Sequence, residues 1–289
     1  MLNPSQVSRF REKGYMIAPS GLSAGQLDAL KTELDAWIEE SRGHDRNYGS
    51  TIDGKARFDL EAGHTSAQPR LRRVSNPADV SDAYQEVLWR GPIVDMVADL
   101  VGPNVKFHHC KLNIKLPGME TRVEWHQDHA FDPHTNDDML TVLLMLDDMS
   151  EDNGCLRVVP GSHRGERYSH YQDERFTGNI DKSLWERMDR DAVPIVGRAG
   201  DVCFMHTWAI HGGEPNRSQT SRRLLICDYH AADAVALTPP MVPSVHSGRI
   251  VKGEATRIAR ISQTRLELPP RYEDDSFFGV QGQATAGMT

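Results

Sequence analysis

At Pro103 the hydrophobic period of the chain changes from helical to two, and this switch demands helices first and a sheet structure after them. Upstream, Leu27, Leu30, Leu34 and Trp37 recur at three and four behind a Ser23 cap, and Gly43 ends the run. Residues 79–100 carry Ala83, Val87, Leu88, Ile93, Val94, Val97 and Leu100 on a second helical pattern, which stops at Gly102-Pro103. A short helix is expected over 4–13, capped by Ser5, and a strand over 15–18. Residues 44–67 lose all periodicity and read as a loop covering a pocket. Arg70, Arg72 and Arg73 follow as a basic cluster, read as solvated, with an anion contact near the pocket as the alternative.

Downstream, residues 105–108 and 111–116 alternate polar with apolar and read as two strands, the second placing Lys111, Asn113 and Lys115 on one face. Met139 to Leu146 is a nearly unbroken apolar strand with Thr141 inside it. Further strands are expected at 156–159, 193–196, 201–206 and 222–229, with a polar insert at 164–192. About eight short strands split by Gly and Pro turns mean a sandwich or a barrel. The best fit is a mainly β double-stranded β-helix, or jelly roll, with N-terminal α-helices packed outside one sheet. We read one domain over 1–289, with a helical N-terminal region (1–103), a jelly-roll core (104–232) and a tail (233–289).

The totals exclude several classes. A net charge of −8 argues against a non-specific nucleic-acid binder. No apolar run approaches the ~20 residues of a membrane helix. The start, Met-Leu-Asn-Pro-Ser, lacks a basic stretch followed by an apolar one. Cys110, Cys155, Cys203 and Cys227 lie far apart, which suits reduced thiols and a cytoplasmic protein.

The chemistry starts at His126-Gln127-Asp128. A histidine and an aspartate two apart in an extended segment share a face and can supply two of three protein ligands of a non-haem iron site. With 13 histidines, one such pair is expected by chance, so the pair alone is weak. A third ligand has to come from a later strand. His163, His206, His211 and His230 are candidates, and position alone does not choose among them.

Five segments in order make the sequence resemble the phytanoyl-CoA dioxygenase family of iron(II)/2-oxoglutarate oxygenases. They are His126-Gln127-Asp128; Asn153-Gly154-Cys155-Leu156 with Pro160-Gly161-Ser162-His163; Gly200-Asp201; His211-Gly212-Gly213-Glu214-Pro215-Asn216-Arg217-Ser218; and Arg222. The likeness spans about residues 5–232. It implies His126, Asp128 and His211 as the Fe(II) ligands and catalytic centre. It also implies Arg222, eleven beyond His211, as partner of the distal carboxylate of 2-oxoglutarate, with O2 as co-substrate. Two imidazoles and a carboxylate leave adjacent positions open on the metal, and a guanidinium takes a carboxylate bidentately. Lys111, Asn113 and Thr141 are expected to touch 2-oxoglutarate from the barrel interior. Trp125 is expected in the core, and His206 near the site without being a ligand. Gly213 stands where family members often carry serine, so a hydroxyl contact is lost there. Asp128 fills the position that related halogenases vacate for chloride, which leaves hydroxylation or another hydrogen-abstraction outcome.

The resulting expectation is a dioxygenase that hydroxylates an unactivated C–H of a small or medium metabolite and releases succinate and CO2. The substrate is placed under loops 44–67, 129–138 and 164–192, and Arg122 and Lys106 hint that it is anionic. No nucleic-acid or membrane partner is expected, and a homodimer is left open. Competing readings are a non-catalytic jelly-roll binding protein and a cupin-type metalloenzyme that does not use 2-oxoglutarate.

Overall fold

The structure, a computed structural model, describes residues 1–271 and 280–281. Its helices are α1 (Pro4–Lys13), α2 (Ala24–Ser41), α3 (Asp82–Trp89), α4 (Pro92–Val101) and α5 (Trp185–Asp191). The strands are β1 (Tyr15–Ala18), β2 (Phe58–Leu60), β3 (Leu71–Ser75), β4 (Val105–Lys115), β5 (Val123–His126), β6 (Met139–Met145) and β7 (Leu156–Val158). They continue with β8 (Tyr171–Gln172), β9 (Arg175–Phe176), β10 (Val193–Pro194), β11 (Val202–His206), β12 (His211–Gly213), β13 (Arg222–Ala231) and β14 (Ile250–Lys252). The large sheet runs β1-β11-β6-β13-β4-β3-β2, with β14 beside β4; the small sheet runs β10-β7-β12-β5. The strand pairs that build both sheets are antiparallel, and the two sheets are those of a jelly roll.

The large sheet is buried on both faces. On one, Leu140, Val142, Leu144, Val202, Phe204, Leu225, Cys227 and Tyr229 share a core with Leu30, Leu34, Leu88 and Val97 of the helices. On the other, Leu143, Met145, Cys203, Met205, Leu224 and Ile226 face the small sheet. This double burial explains why β6 reads as an unbroken apolar run. It also places every second residue of β13 (Arg222, Leu224, Ile226, Asp228, His230) inside the roll.

Several expectations change. Asn3, not Ser5, caps α1, in a capping box with Gln6. The pattern over 79–100 is two helices, broken where Gly91 takes φ 83° before Pro92. Residues 105–108 and 111–116 are one strand. Asp228 pairs with His109 and Tyr229 with Phe107, which leaves His108 as an extra residue in a β-bulge. The bulge flips the alternation, so Phe107 and Cys110 both face the helices. Residues 44–67 are not all loop: they contain β2, which pairs with β3 and extends the large sheet, and none of them lines the two cavities described below. The tail wraps the roll through β14 on β4 and through an Asn76 side-chain bond to the Pro243 carbonyl (2.8 Å). Within the tail, 272–279 and 282–289 lie outside the described residues.

Candidate metal centre and active site

β5 and β12 are neighbours in the small sheet, and His126 and His211 are direct cross-strand partners. Their ring centroids are 4.1 Å apart. Gln127 stays extended, so Asp128, first residue of a 3-10 turn, projects on the side of His126. His126 Nε2 lies 3.3 Å and His211 Nε2 3.5 Å from the same atom, Asp128 Oδ1. His126 Nδ1 donates to the Glu124 carbonyl (2.7 Å) and His211 Nδ1 to the Ala209 carbonyl (3.0 Å). A carbonyl only accepts, so both Nε2 atoms present lone pairs to the space beside Asp128. Burial pushes His211 down to about 4, helped by His126, which keeps it neutral. Burial raises Asp128, but His211 and His126 outweigh it and hold the carboxyl well below its usual range. Two neutral imidazoles and an ionised carboxylate on one side of a cavity fit a divalent iron with open positions.

The other carboxylate oxygen, Asp128 Oδ2, accepts from Thr141 Oγ1 at 2.9 Å. Gln127 anchors the segment from behind. Its amide donates to the Trp208 carbonyl (2.9 Å) and the Glu166 carbonyl (3.1 Å), and its oxygen accepts from Tyr168 N–H (2.9 Å). Trp125 points away and packs with Ile180, Met188 and Ile210.

A cavity opens from the three groups toward Arg222, lined by Asn113, Lys111, Thr141, Leu224 and Arg73 among others. Arg222 is buried, and its Nε donates to the Gly154 carbonyl (3.2 Å), leaving the terminal nitrogens for the cavity. Burial pushes its guanidinium down to about 10. Of the three clustered arginines the sequence does not single out Arg73, which lines the cavity: burial likewise holds it near 10, and its Nε has no partner among the described residues. Its neighbours Arg72 and Arg70 pair with the buried carboxylates of Asp59 (3.1 Å) and Glu61 (3.2 Å). Alternation along β3 puts Arg73 out of phase with Arg72, but does not by itself say which phase faces inward. Lys115 does not reach the cavity lining: it is buried and gives its ammonium to the Gly154 and Glu214 carbonyls.

A second, smaller cavity adjoins on the other side of Asp128, lined by His109, Lys111, Phe131, Asp132, Met139, Asp228, Met241 and Val242. His109 Nε2 lies 3.3 Å from Asp228 Oδ2 and 4.0 Å from Asp132 Oδ2. Arg122 and Lys106 line neither cavity; Arg122 pairs with Glu214 at 3.1 Å. His206 is no neighbour of the triad: it stacks on Phe10 (6.3 Å) against α1.

The jelly roll, with two imidazoles and a carboxylate grouped beside its cavity, suits the iron(II)/2-oxoglutarate-dependent oxygenases, and the chain is an enzyme of that class. It belongs to the phytanoyl-CoA dioxygenase (PhyH) family, whose family model matches residues 10–224. It is 34% identical over 274 residues to a probable alpha-ketoglutarate-dependent hypophosphite dioxygenase of Stutzerimonas stutzeri, covering 91% of each chain. It is 32% identical to the peroxisomal phytanoyl-CoA dioxygenase of Rattus norvegicus, over 81% of this chain and 70% of that one. The iron-bound EctD of S. alaskensis has the same fold, with a TM-score of 0.69 at 20% identity over 88% of each chain. No helix among the described residues is long and apolar enough to cross a membrane.

Proposed function

We propose that His126, Asp128 and His211 hold the ferrous ion, that Arg222 and Asn113 seat 2-oxoglutarate, and that the enzyme hydroxylates a small phosphorus oxyanion. When bound, the iron couples decarboxylation of 2-oxoglutarate to transfer of one oxygen atom of O2 to substrate and of the other to succinate. The chain supplies position, charge and dryness. Arg222 meets the distal carboxylate of 2-oxoglutarate with its terminal nitrogens, held in place by the Gly154 carbonyl. Leu143, Met205, Leu224 and Ile226 exclude water around the carbon chain.

One observation carries the substrate reading: Asp128 and Lys111 line both cavities. Arg222 and Asp228 stand six residues apart on the inner face of β13, roughly 20 Å along the strand. The co-substrate therefore takes the Arg222 side and the substrate the Asp228 side, with the Lys111 ammonium beside the metal ligands to receive an oxyanion. Phe131, Met139, Met241 and Val242 close that side around a small molecule. The relative named a probable hypophosphite dioxygenase, and one at 26% identity named methylphosphonate hydroxylase (Gimesia maris), support a small phosphorus compound.

A second reading rests on Asp132 and Asp228. Two carboxylates at the far end of the same cavity suit a phosphonate carrying an ammonium group. The test is substrate-stimulated succinate release, with 31P NMR of the product, for hypophosphite, methylphosphonate and 2-aminoethylphosphonate beside a long-chain acyl-CoA. Stimulation by hypophosphite or methylphosphonate supports the first reading, and stimulation by the amine alone the second. Stimulation by the acyl-CoA alone overturns both.

A further inference from the structure

A second histidine cluster lies further along the inner face of β13, past Asp228. His108, His134 and His230 place ligand nitrogens within 4.8 Å of one another, and all three side chains are buried. They come from three segments that meet only in the fold: the β4 bulge, the stretch between β5 and β6, and the end of β13. The bulge matters, because it turns His108 and His109 to the same side of the sheet, where both approach Asp132.

We propose that His108, His134 and His230 form a second metal site, distinct from the catalytic centre, for a divalent cation of the zinc type. His134 Nδ1 donates to the Asp132 carbonyl (2.8 Å) and His230 Nδ1 to the Ala231 carbonyl (2.9 Å). These bonds fix the tautomer, so each Nε2 carries a lone pair, as in histidines oriented for metal binding. Nε2 of His134 is buried and makes no hydrogen bond among the described residues, and buried Nε2 of His108 faces only Asp132 Oδ1, at 3.5 Å. Unsatisfied buried ring nitrogens are costly, and a cation satisfies several at once. Burial also keeps His134 and His230 neutral, which is the ligating form.

Three imidazoles suit zinc, with Zn–N of about 2.0–2.1 Å and a fourth position for water or a carboxylate. Asp132, whose Oδ1 is 3.5 Å from His108 Nε2, supplies the nearest negative charge, against the opposing charge of Lys106 near His134 and His230. An ion here would clamp β4, β13 and the 132–134 segment together. His109, Asp132 and Asp228 of the smaller cavity belong to those same segments. The site is thus a brace for one wall of that cavity, and the inference does not depend on which substrate the cavity takes.

The test uses the full chain with the catalytic ligands removed, His126→Ala with His211→Ala, titrated calorimetrically with zinc. One equivalent is expected to bind, and adding His134→Ala should abolish that binding while the far-UV circular dichroism stays the same. Should the triple variant misfold, cobalt added to the double variant provides the second measurement: a three-imidazole site gives tetrahedral visible bands. No zinc uptake by the double variant, uptake indifferent to His134→Ala, or a purely octahedral cobalt spectrum overturns the proposal.

Discussion

Thr141 Oγ1 donates to Asp128 Oδ2 at 2.9 Å, while Asp128 Oδ1 faces both imidazoles. One oxygen of the carboxylate is thereby tied back, and the other is presented to the metal position. The sequence places Thr141 against 2-oxoglutarate; in the structure Thr141 lines the cavity and its hydroxyl donates to Asp128. Thr141→Val keeps shape and strand preference and removes only that donor. We expect iron affinity to fall about 10- to 100-fold, as when an outer-shell partner of a ligand is lost. Anaerobic iron titration checks this. A variant with unchanged iron affinity and a raised KM for 2-oxoglutarate would give Thr141 back its role at the co-substrate.

Arg222 is the second point of leverage. Arg222→Ala should raise KM for 2-oxoglutarate on the order of 100-fold, the scale of truncating one partner of a buried charge pair. Arg222→Lys should recover little, because an ammonium lacks the planar two-donor edge and cannot repeat the Nε bond to Gly154 together with a bidentate contact. Steady-state succinate production against 2-oxoglutarate concentration reads both. Near-normal KM in the alanine variant would favour a metalloenzyme that uses no 2-oxo acid.

Gly154 links the turn after β6 to that arginine. Its φ is +73°, and a Cβ there would lie 2.4 Å from the Glu214 carbonyl oxygen and 2.8 Å from that of Pro215. Both obstacles are backbone, and neither can swing away. Gly154→Ala therefore combines left-handed strain of about 1–3 kcal/mol with a clash that shifts the carbonyl holding Arg222. The variant should unfold at lower urea concentration and, in its folded fraction, show a raised KM for 2-oxoglutarate. A stable variant with normal KM would mean that the 153–155 turn is independent of the cavity.

The switch of period at Pro103 makes the order of helices and strands legible, because burial of one face leaves a direct trace in apolar spacing. Three things leave no such trace. The bulge at His108 and His109 breaks the alternation and makes one long strand look like two. Strand β2 is three residues long, Phe58-Asp59-Leu60, too short for its alternation to register within a polar stretch. Arg73 sits among three arginines, and only pairing of β3 with β4 shows which of them faces inward. At the site, the cross-strand pairing of His126 with His211 depends on the small sheet's strand order, which no local pattern encodes. The choice of His211 over His206 therefore rests on family resemblance. The geometry gives its physical basis: β11 carries His206 to the α1 side, and β12 returns His211 to β5.

Buried neutral histidines also make the fold sensitive to acid. Burial pushes His134 down to about 4, and His170 and His206 down to about 3. In the unfolded chain each protonates near about 6.5. Below that pH the unfolded state takes up protons that the native state refuses, so stability is complete above about 6.5 and is lost as pH falls toward the folded values. Each such histidine contributes up to about 1.4 kcal/mol per pH unit in that window. Asp228 works the other way: burial pushes it up to about 6, so between about 4 and 6 the native state holds a proton that the unfolded chain releases. His109, His129, His211 and His230 are held down by burial as well, so the histidines outnumber the raised carboxyls of Asp228 and Glu124 and leave a net loss on acidification. The urea midpoint, measured with EDTA present, should fall clearly from pH 7.5 to pH 5.0. His206→Gln, packed on Phe10 on the α1 side, should flatten that fall in part, the other buried histidines carrying the rest. A midpoint unchanged between the two pH values would mean that these imidazoles are hydrated enough to protonate in the native state.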